Sequence, residues 1–256
     1  MAFCVFTAYA GIFLLKEEGA AGYTSLEMGL ILAAGNISGA LLSPILGAWI
    51  DRNRKVRHSY VVYMLLALQV ILLAILWSHP VKSVACSVCY TLYMTFAIPV
   101  NAVNLDLCVR LENAKAPLNF NFARSMGSMA FVVLSTILGI LTKQIGYQIL
   151  PAAGLCVILI QLAGNVLVDR DLRQYEAQDL PEGATREPPR SSSMAAFIRE
   201  NKAFCLMLFG TIWIFIAHNM DGNFLINLVT NLGGDAEIMG YLAAFTALTE
   251  KAKAAQ

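Results

Sequence analysis

Leu26-Glu-Met-Gly-Leu-Ile-Leu-Ala-Ala-Gly35-Asn-Ile-Ser-Gly39-Ala-Leu-Leu-Ser-Pro44-Ile-Leu-Gly47-Ala-Trp-Ile50 runs straight into Asp51-Arg-Asn-Arg-Lys-Val-Arg-His58. The first stretch holds a single charge, Glu27, and the second holds four basic residues. A helix needs about 20 apolar residues to cross a hydrocarbon core about 30 Å thick, at a rise of about 1.5 Å per residue. In lipid only a structure that satisfies its own backbone hydrogen bonds can cross, so the run reads as a membrane helix ended by a basic loop.

Working outward, the same pattern recurs. Met1 to Leu15 is a short first run, and Ser59 to Ser78, Val81 to Leu105, Arg124 to Thr142 and Gly146 to Val168 are the third to sixth. Ala203 to Val229 contains a seventh, and Ala236 to Thr249 opens an eighth that stops short. Seven or eight crossings are expected. Composition agrees, with 58% hydrophobic and 14% charged residues and a mean hydropathy of +0.63. Soluble domains are about 25% charged, and so few charges could not cover a water-facing surface.

Lys and Arg set the expected orientation. Four lie between Asp51 and His58, three between Asp106 and Arg124, and six between Asp169 and Lys202. The alternate connections carry only Lys16, Lys82 and Lys143. The basic connections, and the N-terminus with them, are therefore expected in the cytoplasm, in an inner or plasma membrane. Asp169 to Ser193 is rich in charge, Pro and Ser and reads as a flexible linker. Met194 to Lys202 is expected to lie at the interface. The expected organisation is a six-helix bundle over residues 1–168, a linker with a short interfacial helix over 169–202, and the start of a second bundle over 203–256.

The six cysteines make no disulfide or zinc framework. Cys86 and Cys89 form a C-x-x-C inside an apolar run, without a second pair or a neighbouring histidine, and read as packing residues. No cofactor or metal is implied. There is no Gly-x-Ser-x-Gly, H-E-x-x-H or P-loop, so no enzyme is expected, and nothing suggests a nucleic-acid partner.

Gly47-Ala-Trp-Ile-Asp51-Arg52-Asn-Arg-Lys55 resembles the signature loop between the second and third helices of the major facilitator superfamily, G-x-x-x-D-R-x-G-R-K. Gly47, Asp51, Arg52 and Lys55 match, and Arg54 stands where the second glycine is usual. The resemblance implies an all-α membrane protein: a major facilitator-type bundle with a six-helix N-terminal half and a partial C-terminal half. It also implies that Asp51 and Arg52 act in a gating loop, with Gly47 admitting a close helix approach.

Asn119-Phe-Asn-Phe-Ala-Arg124-Ser-Met-Gly127-Ser-Met-Ala-Phe131 is similar to the start of the fifth helix in the lactose permease-like branch. There the residue matching Arg124 binds sugar hydroxyls, the aromatic matching Phe131 stacks on the sugar ring, and the glycine matching Gly127 admits close packing. Arg124 reads equally as a helix-end cation reaching the interface. Asn101 and Asn104 follow Pro99 where relatives carry an acidic residue. Asp106, one turn on, is either that residue or a helix-end charge, and a pairing with Arg124 would accommodate both charges.

Gly35 and Gly39 flank Asn36 and Ser38 as a G-x-x-x-G pair, the pattern of close helix packing. His218 and Asp221 are three residues apart, so they share a helix face. They form either a proton relay facing a cavity or a polar helix end. Glu250 falls where relatives show an acidic residue in the eighth helix. Lys251 and Lys253 follow it, and each would cost about 2.5–3.5 kcal/mol in mid-membrane, so that helix is expected to end early.

The expected function is secondary active transport by alternating access, with proton-coupled uptake of a small polar solute, a sugar or nucleoside. Arg124, Phe131, Asn101 and Asn104 are the candidate binding residues. Asp106, His218, Asp221 and Glu250 are the candidates for proton coupling. The alternative is a truncated transporter or membrane interaction module that moves nothing.

Overall fold

The computed structural model describes residues 9–15, 21–53, 57–113, 120–178, 198–235, 237–242 and 245. Within them lie seven helices: α1 Ala10–Leu14, α2 Ser25–Arg52, α3 His58–Ser78, α4 Val84–Asn113, α5 Phe120–Ile145, α6 Ile149–Gln178 and α7 Lys202–Asn231. A further helical stretch covers 237–242. The described residues form helices joined by short turns, with one isolated backbone bridge between Leu15 and Tyr23. It is an all-α membrane protein.

Four helices are long and apolar enough to cross a membrane: Ser25–Ile50, His58–Ser78, Val84–Val109 and Ile149–Arg173. The described apolar parts of α5 and α7 are shorter, Met129–Ile145 and Lys202–Ile214. On α2 the exposed residues Leu26, Leu30, Ile37, Leu41 and Ile45 fall at spacings of four and seven. They share one exposed face of a 3.6-residue helix.

Local chemistry sets the helix ends. Thr24 and Glu27 form a capping box at the start of α2, in which the Glu27 N–H donates to Thr24 Oγ1 at 3.3 Å and the Thr24 N–H to Glu27 Oε2 at 2.9 Å. At the end of α7, Gly233 takes φ +80°. Its N–H bonds to Thr230 O and that of Gly234 to Val229 O, both at 2.9 Å, which is a Schellman closure. Gly146, at φ +95°, closes the turn from α5 into α6.

Two helices outrun their expected ends. The fourth continues past Leu105 to Asn113, so Asp106 lies within it. The sixth continues past Val168 to Gln178, so the first ten residues of the expected linker are helical. Polar residues can extend a membrane helix into the interface, and apolar runs do not show where that extension ends. The rest of the expected linker up to residue 197, residues 1–8 of the first run and half of the eighth lie outside the described residues.

α4 is the hub, packed on α2, α3 and α6. Gly35 and Gly39 make the α2–α4 contact possible. A Cβ on Gly35 would sit 2.7 Å from Met94 Cβ and 3.1 Å from Thr91 O; one on Gly39 would sit 2.7 Å from Ile98 Cδ1 and 3.0 Å from Thr95 O. Lipid supplies no hydrophobic drive between helices, so such close backbone approach carries the association. Gly47 and Gly127 have no neighbour among the described residues within 4 Å of an added Cβ. Cys86 is buried and Cys89 half-buried in α4, both as free thiols.

Candidate functional site: two charged ends and a polar seventh helix

The ion pairs define the two ends of the bundle. At one end lie the end of α2, the start of α3, and the ends of α4 and α6, together with the basic connections. There Asp169, on α6, is only 5% exposed. It accepts hydrogen bonds from Arg57 Nη2 at 3.3 Å, from Arg173 Nε at 3.0 Å and Nη2 at 2.6 Å, and from Ser59 Oγ. Close by, Tyr63 donates from its hydroxyl to Asn165 O at 3.3 Å. The start of α3 is thereby tied to α6. His58 Nε2 lies 3.3 Å from Asp106 Oδ2, which ties α3 to α4 as well.

Arg57 and Ser59 thus tie the chain just after the basic loop to α6. Arg52 is exposed at the end of α2, and Asp51, whose backbone ends the same helix, has its side chain outside the described residues, as does all of Lys55. Asp106 faces His58; Arg124, its expected partner, lies on α5 with its side chain outside the described residues.

At the opposite end are the start of α2, the α3–α4 connection and the turn from α5 to α6. Lys82 Nζ bonds Glu27 Oε2 at 2.7 Å and Oε1 at 2.8 Å, and sits 5.4 Å from the centre of the Tyr23 ring. Tyr23 in turn donates to Ser83 O at 2.8 Å.

The two sides of the linker also meet at this end. Lys143, near the end of α5, bonds Glu237 Oε2 at 2.5 Å and Asp235 Oδ2 at 3.0 Å. Asp235 Oδ1 also accepts the N–H groups of Glu237 and Ile238, each at 3.1 Å, and so caps the 237–242 helix. Lys143 first, and then those backbone N–H groups, hold the Asp235 carboxyl below the ordinary carboxylate range.

Of the candidate binding residues, Asn101 is exposed on α4 and Phe131 half-exposed on α5. Asn104 has a buried Oδ1 without a hydrogen-bond partner among the described residues, the condition of a group awaiting a donor. His218 and Asp221 lie inside α7, which continues ten residues beyond Asp221 to Asn231. That distance is about 15 Å of helix, so the polar stretch lies within the helix. Their side chains, and all of Glu250, lie outside the described residues.

Sequence reasoning missed Asp169, Ser59, Lys143, Asp235 and Glu237 as a set. One local sign was present: Asp169 and Arg173 stand four apart directly after an apolar run, a spacing that pairs charges on a helix. Among the described residues no group of three or more His, Cys, Asp or Glu is placed to hold a metal ion.

A family model described as MFS_1 like family matches residues 2–251. No curated protein and no solved structure matches the chain.

Proposed function

We propose, from the premise that this chain belongs to the MFS_1-like family of membrane transporters, that it takes up a small polar solute by alternating access coupled to protons. The mid-helix placement of His218 and Asp221 carries this reading. Ionisable residues inside membrane helices are costly and persist where they face a partner or an aqueous path. A histidine titrates near neutral pH, and an acid three residues along the same face suits a proton relay.

A sugar or nucleoside is the favoured solute class. Arg124 would donate to hydroxyls, Phe131 would stack on a ring, and Asn101 and Asn104 would add amide contacts. Asp106 and Glu250 remain candidates for coupling beside the His218–Asp221 pair. The end with the basic loops is assigned to the cytoplasm, which puts the N-terminus there too, with residues 1–168 as the first bundle, 169–202 as the linker and 203–256 in the second. Asp51, Arg52 and Lys55 then belong to a cytoplasmic loop whose position is set by the Arg57–Asp169 tie.

Proteoliposomes with an inward proton gradient test this. Labelled sugars and nucleosides should accumulate, with collapse of the gradient or Arg124→Ala lowering the initial rate by at least roughly tenfold, the loss of a charged hydrogen bond. Uptake unaffected by both changes would remove proton coupling and the Arg124 assignment together.

A further inference from the structure

The cluster around Asp169 has an outer face that the ties between helices do not use up. The carboxylate is buried, at 5% exposure, but the two guanidinium groups on it are not: Arg57 is 36% and Arg173 49% exposed. Arg57 bonds one oxygen of the carboxylate and Arg173 the other, so the two cations stand side by side. One carboxylate balances one of their two charges. A guanidinium has five N–H donors, and Asp169 takes two from Arg173, which leaves others for the outer side. Arg170 is exposed and adds positive charge there. Asp171, two residues before Arg173 and so about 200° round the helix, points its charge away.

The same face continues as hydrocarbon. The Tyr60 hydroxyl lies close enough to interact with Arg173, and its exposed ring meets Tyr63 edge-on. From Tyr60, the exposed residues Met64, Ile71 and Ile75 follow one another along one face of α3. From Arg173, the exposed residues Val166 and Leu159 follow at intervals of seven along one face of α6. α3 packs on α6, and the Tyr60–Arg173 contact puts the two apolar tracks on the same side of that pair.

We propose that Arg57 and Arg173, set side by side by Asp169, bind the phosphate of one anionic phospholipid whose acyl chains lie along the α3 and α6 tracks. The phosphate supplies the second negative charge that the pair lacks. Guanidinium groups suit it because they offer parallel N–H donors to two oxygens. Tyr60 sits at headgroup level, where an aromatic ring with a polar tip is stable. A free phosphate would use the cations and ignore the tracks; a lipid uses both. The site lies wholly within α3, α6 and the residue before α3, and it holds whatever the solute and its coupling.

Native mass spectrometry of the purified chain, with added phosphatidylglycerol or phosphatidylcholine, tests the site. One phosphatidylglycerol should stay bound with a preference of roughly tenfold or more, the scale of two basic side chains beside an anionic headgroup. The triple variant Arg57→Gln, Asp169→Asn, Arg173→Gln removes the charges together and leaves no buried carboxylate unpaired. It should bind the two lipids equally. Arg199→Gln with Lys202→Gln, which removes two exposed cations at the start of α7, should leave the preference intact. In the unaltered chain, phosphatidylglycerol with a photoreactive acyl chain should cross-link to peptides within 57–75 and 159–173.

Equal binding of the two lipids by the unaltered chain overturns the site, as does an equal loss of preference in the Arg199 and Lys202 control, which would reduce it to net charge. Displacement of the lipid by millimolar inorganic phosphate would assign the guanidinium pair to a free anion instead. If the triple variant does not fold, the cross-links decide: labels on α3 and α6 sustain the site, and labels confined to other helices sink it.

Discussion

Gly35→Leu and Gly39→Leu should each prevent α2 from seating on α4, and the double variant should yield little folded protein. The obstacle at Gly35 is Met94 Cβ at 2.7 Å with Thr91 O behind it at 3.1 Å; at Gly39 it is Ile98, together with Thr95 O at 3.0 Å. A Cβ and two carbonyl oxygens cannot turn aside as a side-chain tip can, so relief requires the helices to part. Overpacking typically costs about 1–3 kcal/mol and more where backbone must move. In a bilayer no hydrophobic gain offsets the separation. Gly47→Leu, by contrast, meets no atom of the described residues within 4 Å and should cost little. Fluorescence-detected size exclusion after a temperature ramp checks all three: the Gly35 and Gly39 variants should lose the monodisperse peak many degrees below the Gly47 variant. Equal behaviour would mean that the α2–α4 approach is not what holds the bundle.

Asp169→Ala should release the start of α3 from α6. The carboxylate is 5% exposed and receives Arg57, Arg173 and Ser59 together. Its removal leaves two guanidinium groups facing each other and a buried hydroxyl without its acceptor. Breaking a fully buried pair costs about 3–5 kcal/mol. Here Arg57 is 36% and Arg173 49% exposed, so water recovers part of that and about 2 kcal/mol is expected. Asp169→Asn keeps the volume and one acceptor and should cost about half as much. A second readout separates release of the loop from general loss of stability. The connection before α3 carries Arg54, Lys55 and Arg57, and trypsin should cleave it several-fold faster in the Asp169→Ala chain at a temperature where the rest remains folded. Unchanged cleavage would show that Asp169 does not hold this loop.

The helices were largely legible because membrane spans announce themselves by length and apolar content. Ser59 to Ser78 and the α3 range His58–Ser78 nearly coincide. The G-x-x-x-G pair at Gly35 and Gly39 was also readable, since backbone contact requires an absent side chain. Helix ends in polar sequence were not. α6 runs through Asp169, Arg170 and Asp171 to Gln178 because charges at the interface cost a helix little, whereas hydropathy marks only where lipid stops.

The ionic ties were invisible for a related reason. Positive-inside reasoning counts Arg57 as one of a crowd, and nothing in the sequence says that a carboxylate 112 positions later receives it. Lys143, one of few basic residues on its side, meets Asp235 and Glu237 through a register that only the packed helices define. Family patterns pointed to close approach at Gly47 and Gly127, where no described atom lies within 4 Å of an added Cβ. They gave Arg124 and Phe131 their roles by resemblance, and those roles stand as proposals.

Solute counterflow tests the central claim most directly, because it needs no gradient and reports only passage through an alternating site. Purified chain goes into vesicles preloaded with an unlabelled sugar or nucleoside, which are then diluted into a trace of the labelled one. The account predicts a transient overshoot of label inside, absent from protein-free vesicles and reduced by Arg124→Ala. No overshoot across a panel of sugars and nucleosides, from chain shown to be folded in the same vesicles, would contradict it.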